Sequence, residues 1–222
     1  MNQRTRIKIC GLTRDADVAA AVAAGADAIG LVLYAPSPRA VTVGRAAALA
    51  RLLPPFVTPV CLFVNADAGL IADAVAAIPN VLLQFHGDET PADCERAGRP
   101  YLRAARMAPG FALLDFAAQF ASAAGILLDA HVEGYGGGGK AFDWSLIPAR
   151  VPRPVVLSGG LGLANVIDGI GHVRPWAVDV SSGVETLNGP KGHKDAALMR
   201  RFCDAVREAD ARSATRSADA DN

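Results

Sequence analysis

The stretch RIKICGLTRDADVAAAVAAGADAIGLVLY, from Arg6 to Tyr34, decides the fold. It opens on a short strand-like run, Arg6–Cys10, and breaks at Gly11. An Ala- and Val-rich segment follows, Arg14–Ala24, with helical character and Thr13 as its expected N-cap. A second run, Ala28–Tyr34, is almost wholly apolar, as a strand buried on both faces should be. The same strand-then-helix unit recurs along the chain. Further strands are expected at Val57–Val64, Val81–His86, Tyr101–Ala105, Gly125–Asp129, Pro154–Ser158 and Trp176–Val180. Helices are expected at Val43–Leu53, Ala68–Ile78, Pro91–Ala97, Ala112–Ala121, Trp144–Ile147, Leu163–Ile170 and Asp195–Ala209. Thr90 with Pro91 reads as a helix start, and Pro54-Pro55 as a helix stop.

With Ala28–Tyr34 counted as the second strand, there are eight such units between Arg6 and Ala209, roughly 25 residues each, the scale of a small eight-fold barrel. The expectation is one α/β domain over residues 1–209, a single-domain (β/α)8 TIM barrel. Residues 210–222 lack an apolar period and are expected to be a disordered tail. An open doubly wound sheet would show a similar alternation; eight units without a clear switch point favour closure.

Lys plus Arg and Asp plus Glu are each 22, so the chain of 222 residues is formally neutral. Neutrality argues against a nucleic-acid binder and removes a global electrostatic case for an anionic membrane. No apolar run is long enough to span a bilayer, since Asp17 and Asp27 interrupt the best candidate. The N-terminus does not read as a secretory signal. The cysteines, Cys10, Cys61, Cys94 and Cys203, are far apart and form no C-x-x-C pair. They are expected to be reduced thiols in a cytoplasmic protein. A monomer is expected.

In a closed barrel, chemistry belongs at the C-terminal ends of the strands. Cys10 ends the first strand and shares a face with Arg6 and Lys8. An inward Lys8 needs an acidic partner, and its ammonium would lower the thiol pKa; the bland alternative is a buried structural thiol. Asp129 ends the sixth strand, where a carboxyl group caps a helix or serves as an acid. A carboxyl group donates a proton near neutrality only where its surroundings favour the protonated form. Gly159-Gly160 and Ser181-Ser182-Gly183 follow the last two strands, where barrels place a phosphate on backbone N–H groups. Asp179 stands just before the second of these turns. Arg39 follows Pro36-Ser37-Pro38 and offers a fork for a carboxylate. His86 and His131 also lie at strand ends, with His86 read as structural. The run Gly134–Lys140 fits two nucleotide motifs superficially. Ala141 lacks the hydroxyl that one requires, and no acid lies at the spacing that the other requires. It reads instead as a lid.

These residues, taken in order, resemble the phosphoribosylanthranilate isomerase family of tryptophan biosynthesis. The likeness rests on K-I-C-G-L-T from Lys8 to Thr13, Ser37-Pro38-Arg39, Gln84 to Glu89 and Phe142-Asp143-Trp144. It continues with Ser158-Gly159-Gly160-Leu161 and V-D-V-S-S-G-V-E from Val178 to Glu185. The resemblance implies an aldose–ketose isomerase that rearranges N-(5-phosphoribosyl)anthranilate without cofactor or metal. It implies Asp129 as general acid and Cys10 as general base. It further implies that Arg39 holds the substrate carboxylate and that Gly159, Gly160, Asp179, Ser181, Ser182 and Gly183 bind the substrate. Gly138 and Ala141 depart from the family's lid pattern, and Gly189–Asp195 carries two extra residues relative to its shorter form. Dual-substrate isomerases with two aspartates are a rival, which Cys10 disfavours. A non-catalytic phosphate-binding barrel is another, which would need neither Cys10 nor Asp129.

Overall fold

A computed structural model describes residues 4–130 and 142–220. Strands and helices alternate as β1 (Arg6–Cys10), α1 (Asp15–Ala24), β2 (Ala28–Val32), α2 (Val43–Ala50), β3 (Thr58–Phe63) and α3 (Ala68–Ala77). They continue as β4 (Leu82–Phe85), α4 (Pro91–Glu95), β5 (Tyr101–Met107), α5 (Leu113–Gln119) and β6 (Gly125–Ala130). The chain ends with β7 (Val155–Leu157), α6 (Val166–Val173), β8 (Ala177–Val180) and α7 (Ala196–Ala220). Single 3-10 turns lie at Trp144–Leu146 and Ser182–Val184.

The strands close in sequence order, all parallel, with β8 returning to pair with β1 in the register Lys8 opposite Asp179. That pairing excludes the open doubly wound sheet. Alternate residues along each strand divide the molecule into two cores. Ile7, Ile9, Ile29, Leu31, Cys61 and Phe63 face outward into one large cluster with the helices. Leu102, Ala104, Leu127, Val156 and Ala177, packed against by Leu82, form the smaller cluster inside the barrel. Full burial of a Leu or Val side chain stabilises by about 1.5–3 kcal/mol, so both shells favour closure.

Local chemistry places the helices. Thr42, Asp67 and Thr90 each accept a bond from a first-turn N–H, at Arg45, Leu70 and Asp93. Thr90 and Asp93 complete a capping box with Pro91 in the first turn. Thr13 does not cap α1: the N-cap is Arg14 without a side-chain bond, and the Thr13 hydroxyl lies 3.5 Å from the Gly192 carbonyl instead. The helix expected at Trp144–Ile147 is a single 3-10 turn, consistent with Pro148, Pro152 and Pro154 crowding the approach to β7. The sixth α-helix starts three residues later than expected, because Asn165 ties Gly162 N–H and the Gly160 carbonyl into a turn.

The expectation of a disordered tail is corrected. Residues 210–220 continue α7 as helix. Asp210 accepts bonds from Thr5 N–H and Thr5 Oγ1 at 2.8 and 2.7 Å, and Arg212 pairs with Glu208 one turn back. Alternating charge and frequent alanine sustain a helix without an apolar stripe.

Candidate active site

The site is built at the C-terminal rim. Cys10 ends β1 and is 5% exposed. Below it, Lys8 Nζ lies 2.9 Å from Asp179 Oδ1 across the β1–β8 seam, with both side chains buried. Lys8 therefore has the acidic partner its inward position requires. Gly30, beside Cys10 on β2, gives the sulfur its room: a Cβ there would sit 2.5 Å from Sγ. Burial disfavours the Lys8 ammonium, but Asp179 and Cys10 outweigh it and hold its pKa above the ordinary value. For Cys10 the balance goes the other way. Burial pushes the thiol up and Asp179 adds to this, while Lys8 and Lys194 pull it down without prevailing. The expected lowering of the thiol pKa by Lys8 is thus present but outweighed.

Asp129 is the penultimate residue of β6, three strands from β1 on one side of the closed sheet. Its Oδ2 lies 3.0 Å from His86 Nε2, and its Oδ1 accepts from Ala130 N–H at 2.9 Å. His86 Nδ1 in turn meets Gln84 Nε2 at 3.2 Å. Gln84 Oε1 is buried without a partner among the described residues. Gly159 is required twice over: its φ is +78°, and a Cβ would come within 2.5 Å of Ala130 N and 3.0 Å of Asp129 Oδ1.

The two glycine turns lie against each other. A Cβ on Gly183 would fall 2.1 Å from the Leu161 carbonyl. The N–H groups of Gly159 and Gly160 take no acceptor among the described residues. From the other side, Ser181 Oγ donates to the Cys10 carbonyl at 3.1 Å. A belt therefore runs without interruption from Asp129 through Gly159–Gly162 and Ser181–Gly183 to Cys10.

Arg39 packs beside this belt, its Cδ where a Cβ of Gly11 would otherwise sit. Its fork is already engaged: Nε and Nη2 donate to the two Glu185 oxygens at 2.6 and 3.1 Å. Lys194 joins the same carboxylate at 3.1 Å and also donates to Ser181 O at 3.0 Å. Burial alone would push Glu185 up, but Arg39 and Lys194 hold its carboxyl below the ordinary range.

The structure thus brings Cys10, Asp129, Arg39, Gly159, Gly160, Ser181, Ser182 and Gly183 to one rim. Asp179, expected among the substrate-binding residues, lies beneath the thiol against Lys8 and is 6% exposed. Glu185 and Lys194 were not singled out as site residues in the sequence, and His86 was read as structural. His131, the lid Gly134–Lys140 and Ala141 lie outside the described residues. Among the described residues, no group of three or more His, Cys, Asp or Glu side chains is placed to share a metal ion.

The family model described as N-(5'-phosphoribosyl)anthranilate (PRA) isomerase matches residues 7–205. This chain belongs to the PRA isomerase family. An N-(5'-phosphoribosyl)anthranilate isomerase of Methylibium petroleiphilum is 72% identical over 211 residues, covering 95% of this chain and 98% of that one. The crystal structure of the Thermotoga maritima PRA isomerase superposes with a TM-score of 0.81 at 37% identity, covering 92% of this chain and 99% of that one. A second PRA isomerase structure holds reduced 1-(o-carboxyphenylamino)-1-deoxyribulose 5-phosphate. It superposes with a TM-score of 0.78 at 34% identity, covering 92% of this chain and 99% of that one.

Proposed function

We propose that this rim carries out the family's reaction with Asp129 as general acid and Cys10 as general base. The reaction is an aldose–ketose isomerisation in tryptophan biosynthesis. It converts N-(5-phosphoribosyl)anthranilate to 1-(2-carboxyphenylamino)-1-deoxyribulose 5-phosphate by an Amadori rearrangement. Asp129 gives its proton to the ribose ring oxygen as the C1′–O bond breaks, leaving a protonated Schiff base. Cys10 as thiolate then removes the proton from C2′. The electron pair moves toward nitrogen to give an enolamine, and protonation at C1′ with loss of the C2′ hydroxyl proton completes the ketone.

The belt from Asp129 to Cys10 carries this reading. A phosphate held on the N–H groups of Gly159, Gly160, Ser182 and Gly183, with Ser181, is anchored midway between the two groups that must reach one pentose. Arg39 meets the anthranilate carboxylate with the part of its guanidinium that Glu185 leaves over. Asp179 acts on the substrate only through Lys8.

The enzyme works as a cytoplasmic monomer on a small phosphorylated substrate, with no nucleic-acid or membrane partner. Its four cysteines are all unpaired, which suits a reducing compartment. Among the described residues the exposed large apolar side chains, Leu52, Phe56, Leu114, Trp176 and Leu187, lie on four separate segments of the chain. Among the described residues no helix is long and apolar enough to cross a membrane.

The test is substrate consumption by the purified protein, followed as loss of the fluorescent anthranilate adduct. Turnover supports the isomerase; binding without turnover marks a phosphosugar-binding barrel instead. Sedimentation at micromolar concentration checks the monomer.

A further inference from the structure

Lys194 lies on the segment between β8 and α7, and its side chain is 0% exposed. Three acceptors fix its ammonium: Ser181 O at 3.0 Å, Ser181 Oγ at 3.3 Å and Glu185 Oε1 at 3.1 Å. Its backbone is held from α1, with its N–H 3.4 Å from Asp17 Oδ2 and its carbonyl accepting from Arg14 at 3.3 Å. Ser181 links the same point to the Cys10 carbonyl. A lysine without a purpose would not be buried this deeply.

Charge around Cys10 shows what the burial achieves. Lys8 and Asp179 form one pair, and Arg39 and Glu185 form another. Lys194 is the fifth charge, and it leaves this buried group with one positive charge in surplus. A thiolate at Cys10 would cancel that surplus, whereas Lys8 alone is already matched by Asp179. Gly30, the neighbour on β2, contributes no charge.

We propose that Lys194 is a positioning residue for the base, supplying the second positive charge that a thiolate at Cys10 faces. The proposal rests on Cys10 acting as the base. The attraction between Lys194 and Cys10 is mutual: each is among the causes that favour the other's charged form, although burial still pulls Lys194 below its ordinary pKa.

The test needs no substrate, so it is independent of whether the isomerase reading holds. Alkylation of Cys10 by iodoacetamide is followed against pH by mass spectrometry of its peptide. Cys61, Cys94 and Cys203 serve as internal controls, since burial pushes them to about 12, 12 and 11. Lys194→Gln keeps a donor but removes the charge. It is expected to slow Cys10 alkylation about tenfold near neutral pH and to move the profile to higher pH. Lys194→Arg should restore the profile, and the controls should not move. An unchanged Cys10 profile in folded Lys194→Gln overturns the proposal. So does a raised KM with an unchanged profile, which would assign Lys194 to the phosphate alone. Should Lys194→Gln not fold, Glu185→Gln decides. Removing the carboxylate that Lys194 shares with Arg39 is expected to speed Cys10 alkylation, and an unchanged or slower rate overturns the proposal.

Discussion

Around Cys10 the mouth of the barrel is lined with charge, Lys8 and Asp179 beneath the thiol and Arg39, Glu185 and Lys194 beside it. Around Asp129 the contacts are an imidazole, a backbone N–H and a glycine, while Arg106, opposite it on β5, is engaged by Asp88. The difference suits the opposite tasks proposed for the two groups. A buried thiol must become an anion to act as a base, so cations are gathered near it. A carboxyl that must donate a proton is better served without them, because a cation at contact would favour the carboxylate.

The contrast can be broken most forcefully on the charged wall. Lys8→Met leaves the Asp179 carboxylate buried without its cation. It should cost about 3–5 kcal/mol in urea unfolding; a loss below about 1 kcal/mol would mean that the pair does not hold this wall. Moving a cation to the other wall should be next in size. His86→Lys is expected to lower kcat at neutral pH about 10²-fold and to move the activity optimum to lower pH. An unshifted optimum would count against Asp129 as the acid. Arg39→Ala should raise KM roughly tenfold with little change in kcat, read from steady-state kinetics; an unchanged KM ends the clamp.

The smallest effect lies away from both walls. Burial would raise the Asp27 carboxyl, but the Arg4 guanidinium and the Ile7 N–H hold it below its ordinary 3.8. Its contribution is therefore complete above that value and is lost as pH falls through the lower folded pKa. Asp27→Asn should flatten the loss of stability below about pH 4, by under about 1 kcal/mol because Arg4 is exposed. A curve parallel to that of the parent chain would contradict this.

The sequence made strand ends legible because periodicity and glycine punctuate them. Cys10, Asp129 and Gly159-Gly160 stand where an apolar run stops, and the barrel rule turns that position into a site. Partners supplied by the closing of the barrel were not legible. Glu185 reaches Arg39 across 146 residues, and Asp179 reaches Lys8 across 171. Lys194 falls in a Gly-, Pro- and Lys-rich loop without periodicity, and its burial depends on that loop folding back onto Ser181 and Glu185. The end of α7 was missed for a related reason. Its hold on Asp210 comes from Thr5, at the other end of the chain.

The central claim is that one thiol and one carboxyl act on the same sugar from two walls. Turnover of N-(5-phosphoribosyl)anthranilate by Cys10→Ala and by Asp129→Asn, each checked for an intact fold, tests it directly. Each variant should lose at least about 10²-fold in kcat. Full activity in either would contradict the account.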